Sequence, residues 1–443
     1  MQSTVERPPL PDGPWLICGL AKSGQAAARL LASMGERVVA VDAAAPDGAA
    51  GLAELGVEVH LDAAGDDLVS GASAFVKSPG VPSNAPAVVA ARAAGITQMG
   101  ELELGWRLTD GPVTSVTGTN GKTTVVEMIG HLIRSSGHEA AVVGNVGRPI
   151  TELPGTDEAS GRIVLEASSF QLEDSPAFAP DVAVLLNLAE DHLDRHGSVE
   201  AYHEAKLSMF DRQPAGTVAI VPASAGPWDH RGAAERVTFG QPDSDLATVD
   251  GVLQWRGESF AEAADIQLPG AHNLRNAEAA CAAAIANGVP VSALAEGLRS
   301  FSGVPHRLEL VSDSGGVRWY NDSKATNVAS TLTALAAVDG PVRLILGGQG
   351  KAQDFSPLRA AVAQRCQSVH LIGEAAGQLS ELLSDSGVHT QIDSDLKLAV
   401  AACSRLARPG DAVLLSPACA SFDQFSDFQD RGASFRALVE DLA

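Results

Sequence analysis

The segment Thr117-Gly-Thr-Asn-Gly-Lys-Thr-Thr124 has the clearest chemical purpose in the chain. Its glycines let the backbone turn tightly and aim several N–H groups at one point. A helix starting there adds the positive end of its dipole. Lys122 can then reach the β- and γ-phosphates of a nucleotide, and the Thr123 hydroxyl is placed for Mg²⁺. Val116 stands where the GxxxxGK[ST] pattern has its first glycine, so the reading rests on the whole strand–loop–helix arrangement. Gly118, Thr119, Asn120, Gly121, Lys122, Thr123 and Thr124 are the candidate phosphate-binding residues.

Two later segments add charged groups at strand ends. In Arg162-Ile-Val-Leu-Glu-Ala-Ser-Ser-Phe-Gln-Leu-Glu173, Glu166 closes an apolar run, where a parallel α/β sheet places its ligands. A carboxylate there is costly unless it pairs or meets a cation, so Mg²⁺ shared with Thr123 and a salt bridge or helix cap are the two readings. Asp191, His192 and Asp194 follow the next apolar run, and His192 offers an imidazole either to a metal or to local structure. Lys206, taken alone, reads as a solvated helix lysine.

A third group lies near the C-terminus. Pro305-His-Arg307, Tyr320-Asn-Asp-Ser-Lys-Ala-Thr-Asn327, Leu346-Gly-Gly-Gln-Gly-Lys351 and Leu415-Ser-Pro-Ala-Cys-Ala-Ser-Phe422 are polar, and the last three follow apolar strands. Arg307 has the planar fork that suits a carboxylate or phosphate. Together these loops predict a binding face for an anionic small molecule. Near the N-terminus, Gly19-Leu-Ala-Lys-Ser-Gly24 is similar to a dinucleotide loop, but Ala21 occupies the position of its middle glycine. Asp42 fits the acid that binds a ribose, so a nicotinamide dinucleotide and a UDP-sugar are both readings of this block.

Alternating strand-like and helix-like patterns must position these groups, which predicts an α/β protein with mostly parallel sheets. Strands are expected at 15–20, 37–42, 57–61, 74–77, 113–117, 162–167, 182–187, 217–221, 318–320, 342–346, 369–372 and 412–415. The first helix is expected to bury Ala27, Leu30, Leu31 and Met34, and the helix after the phosphate loop Val125, Met128, Ile129, Leu132 and Ile133. A further Ala-rich helix is expected from about 276 to 287, and the stretch 240–257 shows no regular pattern. Blocks 1–100, 101–303 and 304–443 suit a chain of 443 residues.

The formal net charge of −23 disfavours nucleic acid and anionic membrane as partners. Five cysteines without CxxC spacing argue against a disulfide framework or a zinc site and suit small buried hydrophobes. A polar, Pro-rich start and the lack of any apolar run of spanning length predict a cytoplasmic protein with no membrane insertion.

Taken together, the chain resembles the Mur ligases. The resemblance rests on GTNGKTT (118–124), GNVG (144–147), LEASSFQLE (165–173), EDHLDRH (190–196), EAKLSMF (204–210), PGAHNLRNAEAA (269–280), PHRLE (305–309), NDSKATN (321–327), LGGQGK (346–351) and LLSPACASFDQF (414–425). It implies a Rossmann-like UDP-binding domain, a central ATPase domain and a Rossmann-like C-terminal domain. It also implies a monomer that adds D-glutamate to UDP-N-acetylmuramoyl-L-alanine through an acyl phosphate.

On that resemblance ATP meets the phosphate loop with Asn273, Asn276, Arg307 and Asp322. Two Mg²⁺ are held by Thr123, Glu166, His192 and a carbamylated Lys206, and Lys122, Glu166, His192 and Lys206 are catalytic. The UDP-substrate meets Gly19, Ala21, Lys22, Ser23, Asp42, Ser78, Pro79, Gly80, Asn145, Ser168 and His192. Glutamate meets Lys324, Thr326, Lys351, Ser416 and Phe422. Ala43, Ala44 and Ala45 stand where the family often offers hydroxyl or Arg side chains to the UDP group, and Lys22 can supply a compensating charge. The alternatives are a variant using L-glutamate, a folylpolyglutamate-synthetase-like ligase, a dehydrogenase built on the first glycine loop, and a regulator without catalysis.

Overall fold

A computed structural model of the chain describes every residue except Met1, Gln2, Thr4, Ala225, His230, Pro269, Lys351, Ala352 and Ala443, and every side chain of those except that of Asp194. The chain divides into two compact units, Met1–Ile266 with Leu274–Phe301 and Gln267–Asn273 with Ser302–Ala443.

The first unit holds two sheets. In the first, β1 (Trp15–Cys18), β2 (Val38–Val41), β3 (Glu58–His60), β4 (Ala74–Lys77) and β5 (Thr97–Gly100) are all parallel in the order β3-β2-β1-β4-β5. Its strands are short and apolar because helices cover both faces. Trp15, Ile17, Leu31 and Met99 form one core, and Leu16, Phe75 and Val88 the other. The strand order reverses between β1 and β4, which leaves a crevice at their C-terminal ends. Met34 departs from the expected buried stripe: the helix ends at Ser33, and Met34, at its C-cap, is 46% exposed. Helical spacing stops predicting burial where the helix stops.

The second sheet contains β6 (Val113–Thr117), β7 (Ala140–Gly144), β8 (Arg162–Glu166), β9 (Val182–Leu185), β10 (Val218–Pro222), β11 (Glu235–Phe239), β12 (Leu246–Val249), β13 (Val252–Trp255) and β14 (Glu258–Glu262). Its order is β14-β13-β12-β11-β10-β9-β6-β8-β7. Strands β12 to β14 are antiparallel, so the stretch 240–257 that shows no pattern in sequence is largely a hairpin extending the sheet. Val125, Met128, Ile129, Leu132 and Ile133 are all buried on the Lys122–Ser135 helix, as its spacing predicts. The Ala-rich helix spans Ala271–Ala286, five residues earlier at its start than its composition suggests.

The second unit holds β15 (Glu309–Ser314), β16 (Val317–Asn321), β17 (Val342–Gly347), β18 (Cys366–Ile372), β19 (His389–Ser394) and β20 (Ala412–Leu415), in the order β15-β16-β20-β17-β18-β19. Strand β15 pairs antiparallel with β16, and the other strand pairs of this sheet are parallel. All five cysteines are buried thiols. Among the described residues no helix is long and apolar enough to cross a membrane.

Candidate active site

The phosphate loop joins β6 to the Lys122–Ser135 helix. Gly121 has φ +87°, and a Cβ there would lie 2.5 Å from Asn276 Oδ1, so the position needs glycine. Lys122 Nζ donates to the loop carbonyls of Gly118 (2.8 Å) and Thr119 (3.0 Å). The adjoining loop after β9 closes over it: Asn120 N donates to Asn187 Oδ1, and Asn187 Nδ2 donates back to Asn120 O.

Strand β8 places Glu166 beside this loop. Thr123 Oγ1 donates to Glu166 Oε2 at 2.7 Å, and Asn145 Nδ2 donates to Oε1 at 2.9 Å. Both carboxylate oxygens are therefore engaged and the residue is buried. The Thr123 hydroxyl and Glu166 carboxylate are hard oxygen donors next to a phosphate loop, a set that suits Mg²⁺. Two residues on, Ser168 caps the Ser169–Glu173 helix in a reciprocal box with Gln171.

Lys206 does not lie in solvent. It is 1% exposed on the Val199–Asp211 helix, and Nζ donates to Gly118 O at 3.0 Å. Its amine lies 4.4 Å from the ring of Tyr202, one turn earlier, whose hydroxyl reaches Thr119 Oγ1 at 3.3 Å. Burial and, after it, the charge of Lys122 push the Lys206 amine down to about 7, against the opposing pull of Asp191 and Glu166. An ammonium ion does not suit a metal ligand; the neutral amine converted to a carbamate does. His192 takes a left-handed backbone (φ 52°) and is half exposed, 4.9 Å from the Phe170 ring. Among the described residues no three His, Cys, Asp or Glu side chains cluster as a metal site.

A cavity of about 830 Å³ opens at the C-terminal ends of β1, β2 and β4. Gly19, Ala21, Lys22, Ser23, Asp42, Ser78, Pro79, Gly80 and Asn145 all line it. Asp62, Ala63 and Ala64, which carry no motif, also line it and were not legible in sequence. Asp42 is already engaged: its carboxylate accepts from Leu20 N (2.5 Å) and Ala44 N (2.8 Å). Lys22 is exposed and donates to Gly147 O at 2.5 Å. Ser168 and His192 are not among the lining residues, whereas Gln171 is.

In the second unit, β16 and β20 present their following loops side by side. Asp322 accepts from Ser416 Oγ (2.8 Å) and Leu308 N (3.1 Å), and burial pushes its carboxyl up to about 7. Ser416 is fully buried, its hydroxyl also near Thr331 Oγ1 (3.1 Å). Lys324 Nζ lies 3.9 Å from the Phe428 ring, and Phe422 is 66% exposed. Thr326 N bonds to Lys324 O, and Arg307 N to Val304 O. Lys351 lies outside the described residues. Asn273 and Asn276 are buried on their helix. Sequence reading missed Arg431, which is buried and donates to Ser323 O and Oγ, Cys419 O and Ala420 O, tying the two loops together.

Residues 14–100 match the MurD-like N-terminal domain of the Mur ligases, residues 116–284 the Mur ligase middle domain, and residues 306–419 the Mur ligase glutamate ligase domain. The chain belongs to the Mur ligase family, in the branch whose N-terminal domain is MurD-like. It is 43% identical over 434 residues to the UDP-N-acetylmuramoylalanine–D-glutamate ligase of Rubrobacter xylanophilus, covering 96% of this chain and 97% of that one. With the ligase of the same name from Gloeobacter violaceus the identity is 42% over 439 residues, covering 96% and 99%. The crystal structure of UDP-N-acetylmuramate–alanine ligase MurC from Thermotoga maritima shares the fold at a TM-score of 0.64 and 18% identity, over 97% of this chain and all of that one.

Proposed function

We propose that this chain is an ATP-dependent ligase that joins D-glutamate to UDP-N-acetylmuramoyl-L-alanine in peptidoglycan precursor synthesis, the activity by which its 43%-identical relative is named. One observation carries the reading. Thr123, Glu166 and Asn145 form a continuous hydrogen-bonded string from the phosphate loop to the wall of the cavity in the first sheet. A nucleotide on the loop and a UDP-substrate in the cavity would thus meet at one carboxylate.

The alanine carboxylate of the substrate attacks the γ-phosphorus of ATP; the new O–P bond forms as the bond to the β-phosphate oxygen breaks, and ADP leaves. The amine of glutamate, having lost a proton, attacks the activated carbonyl, and phosphate leaves. Both steps bring anions together, so positioned positive charge and loop N–H groups dominate. Lys122 leaves its loop carbonyls for the phosphates. Glu166 and Thr123 would hold one Mg²⁺, and His192 with a Lys206 carbamate a second, neutralising phosphate charge when bound. Burial supports the carbamate, because the neutral Lys206 amine is the form that adds CO₂ and releases a proton. Asn145 orients the alanine end of the UDP-substrate, whose nucleotide half lies along Gly19, Ser23 and Ser78–Gly80. In the second unit, Arg307 and Asp322 are assigned to the nucleotide, and Lys324, Thr326, Lys351, Ser416 and Phe422 to glutamate; Asn273 and Asn276 are assigned to adenine.

Phosphate release is measured with ATP, Mg²⁺ and UDP-N-acetylmuramoyl-L-alanine, adding D-glutamate, L-glutamate or neither. Release that requires D-glutamate is the expected result. Dependence on L-glutamate would overturn the acceptor, and no release in any arm would overturn the ligase reading.

A further inference from the structure

Lys77 and Asp174 carry no motif, yet they form a well-buried ion pair. Lys77 Nζ lies 2.5 Å from Asp174 Oδ2, with side chains 3% and 16% exposed. Lys77 ends β4 of the first sheet. Asp174 is the C-cap of the Ser169–Glu173 helix, which follows β8 in the chain. The Asp174 backbone is held as well: its carbonyl accepts from Gly100 N, at the end of β5, at 2.6 Å.

Each partner continues directly into a wall of the 830 Å³ cavity. Lys77 is followed by Ser78-Pro79-Gly80, and Ser78 Oγ fastens that wall to Gly19 O at 2.6 Å. Asp174 caps the end of the helix whose Gln171 lines the cavity and whose N-cap, Ser168, lies two residues after Glu166. Neither Lys77 nor Asp174 lines the cavity itself. Desolvating both charges cancels much of their attraction, so such a pair contributes little net stability over an apolar pair of equal volume. What it does contribute is a fixed separation and orientation between the two elements that carry it.

We propose that Lys77 and Asp174 are positioning residues: their ion pair sets the width of the cavity, and so the binding of the UDP-substrate. This rests on the reading of the cavity as the UDP-substrate site.

The test compares wild type with Lys77→Met, Lys77→Arg and the double variant Lys77→Met/Asp174→Leu, which buries no charge. The double variant is expected to melt close to wild type. Its KM for UDP-N-acetylmuramoyl-L-alanine should nevertheless rise about tenfold, with the KM for ATP and kcat within about twofold. Lys77→Arg should recover most of the loss. Amide exchange should quicken in segments 78–82 and 169–174 of Lys77→Met and of the double variant. A substrate KM that returns to the wild-type value in the double variant would mark the pair as merely structural and overturn the proposal. So would unchanged exchange in both segments. If wild type itself shows no saturation by the UDP-substrate, the cavity assignment fails, and the exchange measurement still decides the pair.

Discussion

Two glycine loops in this molecule occupy the same place in the same kind of unit and do different things. Each follows an inner strand of a parallel sheet, β1 or β6, and each leads into a helix whose first residue is a lysine, Lys22 or Lys122. In the first loop, Leu20 N is taken by Asp42, Gly24 packs directly on the Gly19 carbonyl, and Lys22 leaves the loop for Gly147 O. In the second, Lys122 turns inward onto two carbonyls of its own loop, with another lysine, the buried Lys206, on one of them. One loop is a wall and the other a cradle. Register along the chain does not separate them; the neighbours brought by other strands do.

That contrast predicts an unequal response. Lys122→Ala should cut kcat/KM by about 10³, the scale of losing one preorganised charge on a transition state. Lys22→Ala should change the KM of the UDP-substrate by no more than about fivefold. Steady-state phosphate release measures both, and equal losses would dissolve the distinction between the loops.

The next effect concerns the amine that joins the cradle. With its folded value pushed down to about 7, Lys206 is protonated below that pH and neutral above it. Carbamate forms only from the neutral amine, so activity should fall as pH drops through 7, by about tenfold between pH 8 and pH 6. Added bicarbonate should restore part of it. Lys206→Ala should be slow, about 10²-fold down, and indifferent to bicarbonate; an unchanged Lys206→Ala rate would remove this lysine from the mechanism.

Gly24→Ala gives the smallest effect and probes the wall. A Cβ there would collide with the Gly19 carbonyl, so about 2 kcal/mol of stability should be lost by overpacking. Denaturant unfolding measures it, and affinity for ATP should stay as in wild type.

Much of the architecture could be read from the chain because its strands are short apolar runs buried on both faces. The four residues of β1, β4, β9 and β20 are buried without exception. The stretch holding β12 and β13 escaped notice because a hairpin at the end of the sheet is only partly buried and carries weaker patterning. Tyr202, Phe428 and Arg431 escaped for another reason. Tyr202 and Phe428 offer ring faces to Lys206 and Lys324, and Arg431 donates to main-chain carbonyls, contacts that leave no trace in residue type. Lys206 reads as a surface lysine because nothing in its own helix reveals that the Gly118 carbonyl of the phosphate loop will meet its amine.

The sequence by itself determined the chemistry on offer: a strand–glycine–lysine–helix cradle, a carboxylate at the end of an apolar run, and glycines that let the loop turn tightly. Those follow from local sterics and from apolar spacing. Only the tertiary structure decided how the groups are used. It turned Asp42 onto loop amides, strung Thr123, Glu166 and Asn145 together, lowered Lys206 and buried Lys77 against Asp174. Each of these depends on strand order and on removal from water, which together set which distant side chains meet and how strongly their charges are felt.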